Sequence, residues 1–313
     1  MAAMRVAAAD IGTNTTRLLV ADVGSDGTVA EVERLTEITR LGEGVDKSGA
    51  LAELPMGRVT TALARYAERA RAHDAERLLA VATSATRDAA NRDEFLARVA
   101  ATGFEPRLFS GDDEAITTFA GVCSRAPGGE ALPSDGTLVV DIGGGSTELV
   151  LGEAGGVAWE RSLQAGSVRM TERFHGEDVV AERDIDACAA CVDELLDVVS
   201  GEVVAATKRV IAVAGTATTL AAIANGAYDP AAVHLARITR AQVRDIQAQL
   251  GALSLDARRA TPGLEPARAP VIVAGLVVLG CVLDHFGQTE AQVSERDILH
   301  GTALLAAGLI PGR

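Results

Sequence analysis

The sequence predicts an α/β protein built from two halves of similar fold. The first observation is an internal repeat, because residues 10–20 align with residues 141–151 at aspartate, isoleucine, glycine, threonine and leucine positions. The second observation is that each copy follows a short apolar strand and continues into another one. A strand–loop–strand unit that recurs far along one chain predicts two related halves facing a shared cleft.

Composition limits the class of protein. The 313 residues are 48% hydrophobic and contain no long polar or low-complexity run, so the chain is predicted to be globular. The longest apolar run, residues 271–283, is about 13 residues, whereas a membrane helix needs ~20, so it predicts a buried core helix. A net charge of −14 and an aromatic content of 3% argue against nucleic acid as a partner.

The cysteine pattern and the N-terminus favour a cytoplasmic protein with reduced thiols. Cys188 and Cys191 form a C-x-x-C motif, but the apolar residues around them keep helical spacing. This spacing favours small buried thiols on a core helix over a redox or zinc site. Residues 1–5 lack the pattern of a signal peptide, and we predict no membrane segment.

The first half is predicted to open with three antiparallel strands at residues 4–10, 17–22 and 29–36. A helix at residues 55–72 carries Val59, Leu63 and Tyr66 on one face, and a buried strand follows at residues 77–82.

The segment after that strand lies where α/β folds place ligand-binding residues. Hydroxyl groups at Thr83, Ser84 and Thr86 could donate to phosphate oxygens, and Arg87 could clamp one. A capped helix start with ordinary surface polarity explains the same residues equally well.

Another helix is predicted to begin after Ser110. Asp112 and Asp113 are expected to cap it, since carboxylates in the first turn of a helix complement its dipole. Glu114 is the candidate general base, because this helix is expected to begin where the two repeated loops converge.

The second copy of the repeat contains three consecutive glycines. Without side chains, Gly143, Gly144 and Gly145 allow backbone N–H groups to converge on an anion such as phosphate. Asp141 and Glu148 flank the turn and could hold Mg²⁺ beside that phosphate. The alternative is a tight hairpin with solvated acids.

In the rest of the second half, we predict a strand at residues 156–163 and then a helix that carries Arg169 and Arg173. Its N-terminus beside two arginines could bind an anion, or the helix could be an ordinary surface helix. Further helices are predicted at residues 181–200, 238–250, 268–286 and 297–309, and a strand at residues 209–214. Residues 215–218 predict a capped helix start rather than a nucleoside site.

Four motifs in order resemble the exopolyphosphatase/guanosine pentaphosphate phosphohydrolase (Ppx/GppA) family. They are DIGTNTTRLL from Asp10, ATSATRDAAN from Ala82, SGDDEA from Ser110 and DIGGGSTEL from Asp141. The segments at residues 166–174 and 214–219 are similar to that family as well. The resemblance implies two ribonuclease-H-like domains of the actin/hexokinase/Hsp70 superfamily, at residues 1–123 and 124–296, with a last helix at about 297–313 that packs back on the first.

The resemblance also implies roles for individual residues. Glu114 matches the catalytic glutamate, and Arg87 matches an active-site arginine. The implied phosphate-binding positions are Gly12, Thr13, Asn14, Arg17, Gly143, Gly144, Gly145 and Ser146. The implied metal-site acids are Asp10, Asp141 and Glu148. The sequence departs from the family at Asp113, where glutamate is frequent, and in the threonines of the first loop, but the functional groups remain. Arg169 and Arg173 are predicted to line the exit path of a long substrate.

The expected activity is release of terminal orthophosphate from linear polyphosphate by metal-assisted attack of water, with Mg²⁺ or another divalent cation. The first alternative is hydrolysis of the 5′-phosphate of guanosine pentaphosphate. Other classes are a kinase, which needs an acceptor pocket, and a non-catalytic alarmone or polyphosphate sensor, against which the intact Glu114 argues. A homodimer is expected.

Overall fold

The computed structural model describes residues 3–129, 131–154, 156–174, 176 and 178–311. The chain forms two compact units: unit 1 takes residues up to Pro133 and again from Arg296 onward, and unit 2 takes Ser134–Glu295. The predicted domain boundaries, residues 123 and 296, lie near these limits, and the predicted outer ends, residues 1 and 313, lie outside the described residues. The assignment of the units as domains stays a prediction.

Unit 1 is built on a mixed five-stranded sheet in the order β3-β2-β1-β4-β5. Its strands are β1 (Met4–Ile11), β2 (Thr15–Val23), β3 (Val29–Ile38), β4 (Arg77–Ala82) and β5 (Glu105–Leu108). The first three strands pair antiparallel, whereas β4 and β5 add parallel to β1. Apolar residues of β1 are buried on both faces of the sheet, because helices cover both.

The helices of this part of unit 1 lie between residues 45 and 123. They are α1 (Val45–Ser48), α2 (Glu53–Ala72), α3 (Ser84–Arg87), α4 (Arg92–Ala100) and α5 (Gly111–Cys123). The predicted face of α2, with Val59, Leu63 and Tyr66, is buried in the core. Ser110 caps α5 in a capping box with Asp113, which confirms the predicted helix start and the capping role of Asp113.

Unit 2 repeats the sheet of unit 1 and extends it by one strand. Its strands are β6 (Thr137–Ile142), β7 (Thr147–Glu153), β8 (Gly156–Leu163), β9 (Arg209–Val213), β10 (Arg237–Thr239) and β11 (Glu290–Val293). The order β8-β7-β6-β9-β11 has the same pattern of antiparallel and parallel neighbours as β3-β2-β1-β4-β5, and β10 adds antiparallel at the edge. The internal repeat of the sequence is therefore a repeat of structure, and the predicted α/β fold with two mixed sheets is confirmed.

The helices of unit 2 pack around a single apolar cluster. They are α6 (Ser167–Phe174), α7 (Glu182–Leu196), α8 (Gly201–Ala206), α9 (Ala214–Asn225), α10 (Pro230–Val233), α11 (Arg240–Gly251), α12 (Leu255–Arg259) and α13 (Ile272–His285), with a short 3₁₀ turn at Pro266–Arg268. The apolar run that predicted a core helix is α13, which is buried from Ile272 to Leu283. No helix in the described parts of the chain combines the length and the apolar character that crossing a membrane requires.

Two predicted helices of unit 2 were wrong in extent. The helix predicted at residues 181–200 is two helices, because α7 ends at Leu196 and Ser200 caps the start of α8. Ile238, predicted as helical, lies in strand β10, and Thr239 then caps α11. In both cases an N-cap residue starts a new helix within an apolar pattern that reads as continuous.

The chain returns to unit 1 in its last helix, α14 (Ile298–Ala306). This helix covers the face of the unit 1 sheet that α5 also covers. Gly121 and Gly301 allow the two helices to cross closely, because a methyl group on either would overlap backbone atoms of the other helix or of its cap. Asp297 caps α14 and is buried.

Candidate active site

The first repeated loop has a backbone that turns its carbonyl groups toward one neighbouring segment. The N–H of Gly12 donates to the carbonyl of Thr15 at 2.9 Å, which closes the turn. The carbonyl of Thr13 accepts from Gly42 at 2.8 Å, and that of Asn14 accepts from both residues 39 and 40, at 3.1 and 2.9 Å. Among the described residues, the N–H groups of Thr13 and Asn14 have no hydrogen-bond partner. They are therefore available to an anion.

The second loop has the same construction. The N–H of Gly143 donates to the carbonyl of Ser146 at 3.0 Å, as Gly12 does in the first loop. The carbonyls of Gly143 and Gly144 accept from the first N–H groups of α6, at 2.8 to 3.0 Å. The N–H groups of Gly144 and Gly145 have no partner among the residues described. Gly166 must be glycine, because a methyl group there would overlap the backbone of Gly144.

This packing corrects one expectation about α6. Its N-terminal N–H groups bind the carbonyls of the glycine loop, so they are not available to an anion. The Nε of Arg169 donates to the carbonyl of Gly145 at 2.7 Å and so supports the same loop. Arg173 is exposed on the same helix. The exit-path role of both arginines stays a prediction.

The two loops differ in the residue opposite the aspartate. Asp10 pairs with Arg17 across β1 and β2, and Asp141 pairs with Glu148 across β6 and β7. Directly opposite residues of antiparallel strands share a face of the sheet. The first loop therefore carries an ion pair, with Arg17 donating to Asp10 at 2.7 and 3.0 Å. The second loop carries two carboxylates, which are 6% and 0% exposed.

Arg17 connects Asp10 to the last helix. Its guanidinium also donates to Asp297, which receives a further bond from Arg34 at 3.4 Å. Burial raises the pKa of Asp10 above its ordinary value, and Arg17 opposes that rise. Burial also works against the charge of Asp297, but Arg17, His300 and Arg34 together outweigh it and hold the pKa of Asp297 below its ordinary range. Arg17, predicted to bind phosphate, thus contacts two carboxylates.

The two predicted catalytic residues meet in unit 1. Glu114 lies in the first turn of α5, is 7% exposed, and its Oε2 accepts from Nη1 of Arg87 at 3.2 Å. The same nitrogen donates to the carbonyl of Phe109 at 2.9 Å, so α5 and the residue that follows β5 together hold the guanidinium. This ion pair orients the carboxylate.

Three buried polar atoms lie beside that ion pair on the turn that follows β4. Ser84 Oγ, Thr86 Oγ1 and Arg87 Nη2 are buried, and in the described structure they have no hydrogen-bond partner. A buried donor without a partner costs free energy, and such groups often mark a ligand site. Of the two explanations for this segment, the unsatisfied donors favour anion binding over ordinary surface polarity.

The acids of the second loop are the candidate cation site. Ser162 on β8 lies opposite Glu148 and donates to its Oε1 at 2.7 Å. The described residues contain no group of three or more His, Cys, Asp or Glu side chains arranged to hold a metal ion. Two buried carboxylates on one face nevertheless fit Mg²⁺, which takes one or two carboxylates and completes its shell with water and phosphate oxygens. Asp10, the third predicted ligand, is already bound by Arg17.

Sequence reasoning missed Asp297 and Ser162. Neither lies in a recognisable motif, and Asp297 is 280 residues from its partner Arg17. The only signal for Ser162 was the strand register, which places it across from Glu148. The buried thiol predicted for the C-x-x-C motif is confirmed at Cys188, which is free and buried, and burial raises the pKa of its thiol to about 12. Cys191 is also free but only half-buried.

Comparison with known proteins agrees with this arrangement. The model of the Ppx/GppA phosphatase family matches residues 19–306. The chain is 40% identical to Exopolyphosphatase 2 of Mycobacterium tuberculosis, over 98% of this chain and 100% of that protein. Among solved structures, an exopolyphosphatase-like protein has a TM-score of 0.87 at 33% identity, covering 97% of this chain and 99% of the other.

The Ppx/GppA family member of Aquifex aeolicus superposes with a TM-score of 0.79 at 28% identity, covering 99% of this chain and 100% of that one. The family match spans most of the sequence, including all but the first of the site segments, and the structural match spans both units. This chain is a member of the Ppx/GppA phosphatase family.

Proposed function

We propose that the protein removes the terminal phosphate from linear polyphosphate. The observation that carries the proposal is the Glu114–Arg87 ion pair, at 3.2 Å, beside three buried polar atoms that lack a partner in the described structure. A relative at 40% identity is named an exopolyphosphatase, which makes the inorganic chain the first substrate to test.

The phosphate groups are held mainly by backbone donors in this proposal. Each loop offers two such donors, because the N–H groups of Thr13 and Asn14 in the first loop, and those of Gly144 and Gly145 in the second, have no hydrogen-bond partner among the described residues. Arg87 Nη2 and the hydroxyls of Ser84 and Thr86 add side-chain donors. Phosphoryl transfer depends mostly on positioning and on charge stabilisation, so a site made of preorganised donors suits it.

Glu114 is the proposed general base. Its carboxylate accepts a proton from water while the water oxygen forms a bond to the terminal phosphorus. The bond from that phosphorus to the bridging oxygen breaks, which leaves orthophosphate and a chain that is one phosphate shorter. Arg87 keeps the carboxylate in place through its bond to Oε2 and through its second bond to Phe109.

Asp141 and Glu148 are the proposed ligands of Mg²⁺, and Ser162 orients Glu148. A bound divalent cation would neutralise charge on the phosphate oxygens during transfer. Asp10 is left out of this ligand set, since its oxygen Oδ2 accepts from Arg17. We further propose that the protein acts in the cytoplasm as a homodimer.

The substitution Glu114→Gln tests the proposal. The amide keeps the shape of the side chain but cannot take a proton, so turnover should fall by roughly 10²–10⁴-fold while polyphosphate binding remains. Phosphate release should be measured from polyphosphates of several lengths, guanosine pentaphosphate and ATP, with Glu43→Gln, an exposed glutamate of the same unit, as the control.

Near wild-type turnover of the Glu114→Gln protein would show that Glu114 is not the base. Release from guanosine pentaphosphate alone would transfer the assignment to the alternative substrate. Binding of either ligand by the wild-type protein without any phosphate release would identify a sensor.

A further inference from the structure

Arg40 is an exposed arginine held against the first repeated loop. We propose that its guanidinium binds a phosphate of the chain behind the terminal one, and so sets affinity for polyphosphate rather than the rate of the chemical step. This inference rests on the proposed function. It adds a substrate-contact residue that lies outside the four motifs.

The backbone at Arg40 is strained, and this conformation supports the first repeated loop. Its φ angle is 50°, in the left-handed region that a side chain other than that of glycine rarely adopts. This turn brings two consecutive N–H groups, those of Thr39 and Arg40, onto the carbonyl of Asn14 at 3.1 and 2.9 Å. Non-glycine residues in such a conformation cluster at ligand sites, where the surrounding structure holds them in place.

The segment with Arg40 contacts both parts of unit 1 that offer donors. The N–H of Gly42 binds the carbonyl of Thr13 at 2.8 Å. A methyl group at Gly42 would overlap the side chain of Thr13 and lie 3.3 Å from Cβ of Ala85. Ala85 is the residue between Ser84 and Thr86 in the sequence. Arg40 is therefore two residues from the point where the first loop meets the turn with the buried hydroxyls.

The guanidinium of Arg40 is available to bind an anion. The structure gives the side chain of Arg40 no ion pair or hydrogen bond within the described residues. The acids nearest to it in sequence have other partners, since Glu37 pairs with Arg65 and Glu43 pairs with Arg58. In a chain of net charge −14, a polyanion must be held by local positive charge, and a guanidinium suits phosphate.

Two substitutions separate charge from backbone strain. Arg40→Asn removes the charge but tolerates the left-handed conformation, and Arg40→Lys keeps the charge. Arg125→Asn is the matched control, because Arg125 is exposed and its carbonyl binds the N–H of Val29, at the opposite end of β3. The ten residues of β3 separate the two arginines by roughly 30 Å.

The experiment measures the Kd for a long polyphosphate, its salt dependence, kcat and Tm for all four proteins. Loss of one partly exposed phosphate contact should raise the Kd of Arg40→Asn roughly 2- to 5-fold and reduce its salt dependence. The kcat and Tm should stay at wild-type values. Arg40→Lys should recover most of the affinity, and Arg125→Asn should match the wild type.

An unchanged Kd in Arg40→Asn, or an equal loss in Arg125→Asn, would overturn the assignment. A wild-type protein that binds polyphosphate but releases no phosphate would contradict the proposed function, and the comparison of Kd values would still decide the role of Arg40. If the wild-type protein does not bind polyphosphate, both proposals are wrong.

Discussion

The two repeated loops share one backbone and differ in charge. In each, the first glycine closes the turn by donating to the residue three positions on, and the following carbonyls accept from a supporting segment. Opposite the aspartate, the first loop has Arg17 and the second has Glu148. The first loop therefore neutralises its own aspartate, whereas the second places two carboxylates opposite each other, an arrangement that suits a divalent cation.

This difference suggests that the first copy has a structural role and that the second copy binds the cation. In the first loop, Arg17 forms ion pairs with Asp10 and with Asp297 at the start of the last helix. These ion pairs fix the first loop to that helix. Asp141 and Glu148 remain as two buried carboxylates, of which Glu148 is oriented by Ser162. The repeat preserves the backbone of the loop, and we propose that the residue opposite the aspartate decides whether a copy binds a metal.

We expect the largest loss of activity when Glu148 of the second loop is replaced by arginine, the residue that the first loop has at the same position. Glu148→Arg would place an arginine opposite Asp141, as in the Asp10–Arg17 pair, and remove the proposed cation site. Phosphate release should fall by roughly 100-fold or more, beyond the loss that outer-shell changes at metal sites cause. Thermal unfolding should still be cooperative. Retained activity at ordinary Mg²⁺ concentrations would show that the acid pair does not bind the cation.

The next effect concerns stability on the side of the first loop. Asp297→Asn keeps the cap of α14, because asparagine caps as well as aspartate, but removes a buried charge from Arg17. Removing one partner of a buried ion pair typically costs about 3–5 kcal/mol. Asp229→Asn, at the cap of the exposed helix α10, is the matched control and should leave the free energy of unfolding unchanged.

The same variant predicts a change in acid stability. The folded pKa of Asp297 lies below its ordinary value, so its contribution is present at neutral pH and is lost as the pH falls below about 4. Denaturation at several pH values should therefore show a shallower acid limb for Asp297→Asn than for the wild type. Parallel curves would mean that another carboxylate causes the acid loss.

The smallest effect should follow from Ser162→Ala. This change removes the hydroxyl that donates to Glu148 and leaves both carboxylates in place. Loss of an outer-shell partner typically weakens metal binding 10–100-fold, and we expect removal of this single hydroxyl to weaken it by about 10-fold. The Mg²⁺ concentration at half-maximal rate should rise accordingly, with kcat recovered at saturating Mg²⁺. A lower kcat at saturation would assign Ser162 a role beyond orienting Glu148.

Local patterns allowed much of this account to be predicted from the sequence. The hairpin register of Asp141 and Glu148, the cap at Ser110 and the burial of α13 all depend on residues close together in the chain. The Asp297–Arg17 contact depends on the return of the last helix, across 280 residues. Arg258 is another example: it is 1% exposed and donates to four carbonyls, whereas an arginine in a polar sequence predicts the surface.

The most direct test of the difference between the loops is the binding of Mn²⁺, as a stand-in for Mg²⁺, followed by electron paramagnetic resonance without substrate. Wild type, Glu148→Arg and Arg17→Met should be compared after each is shown to be folded. We expect the wild type and Arg17→Met to bind an ion and Glu148→Arg to bind none. Equal binding by wild type and Glu148→Arg, or its loss only in Arg17→Met, would contradict the assignment of the cation to the second loop.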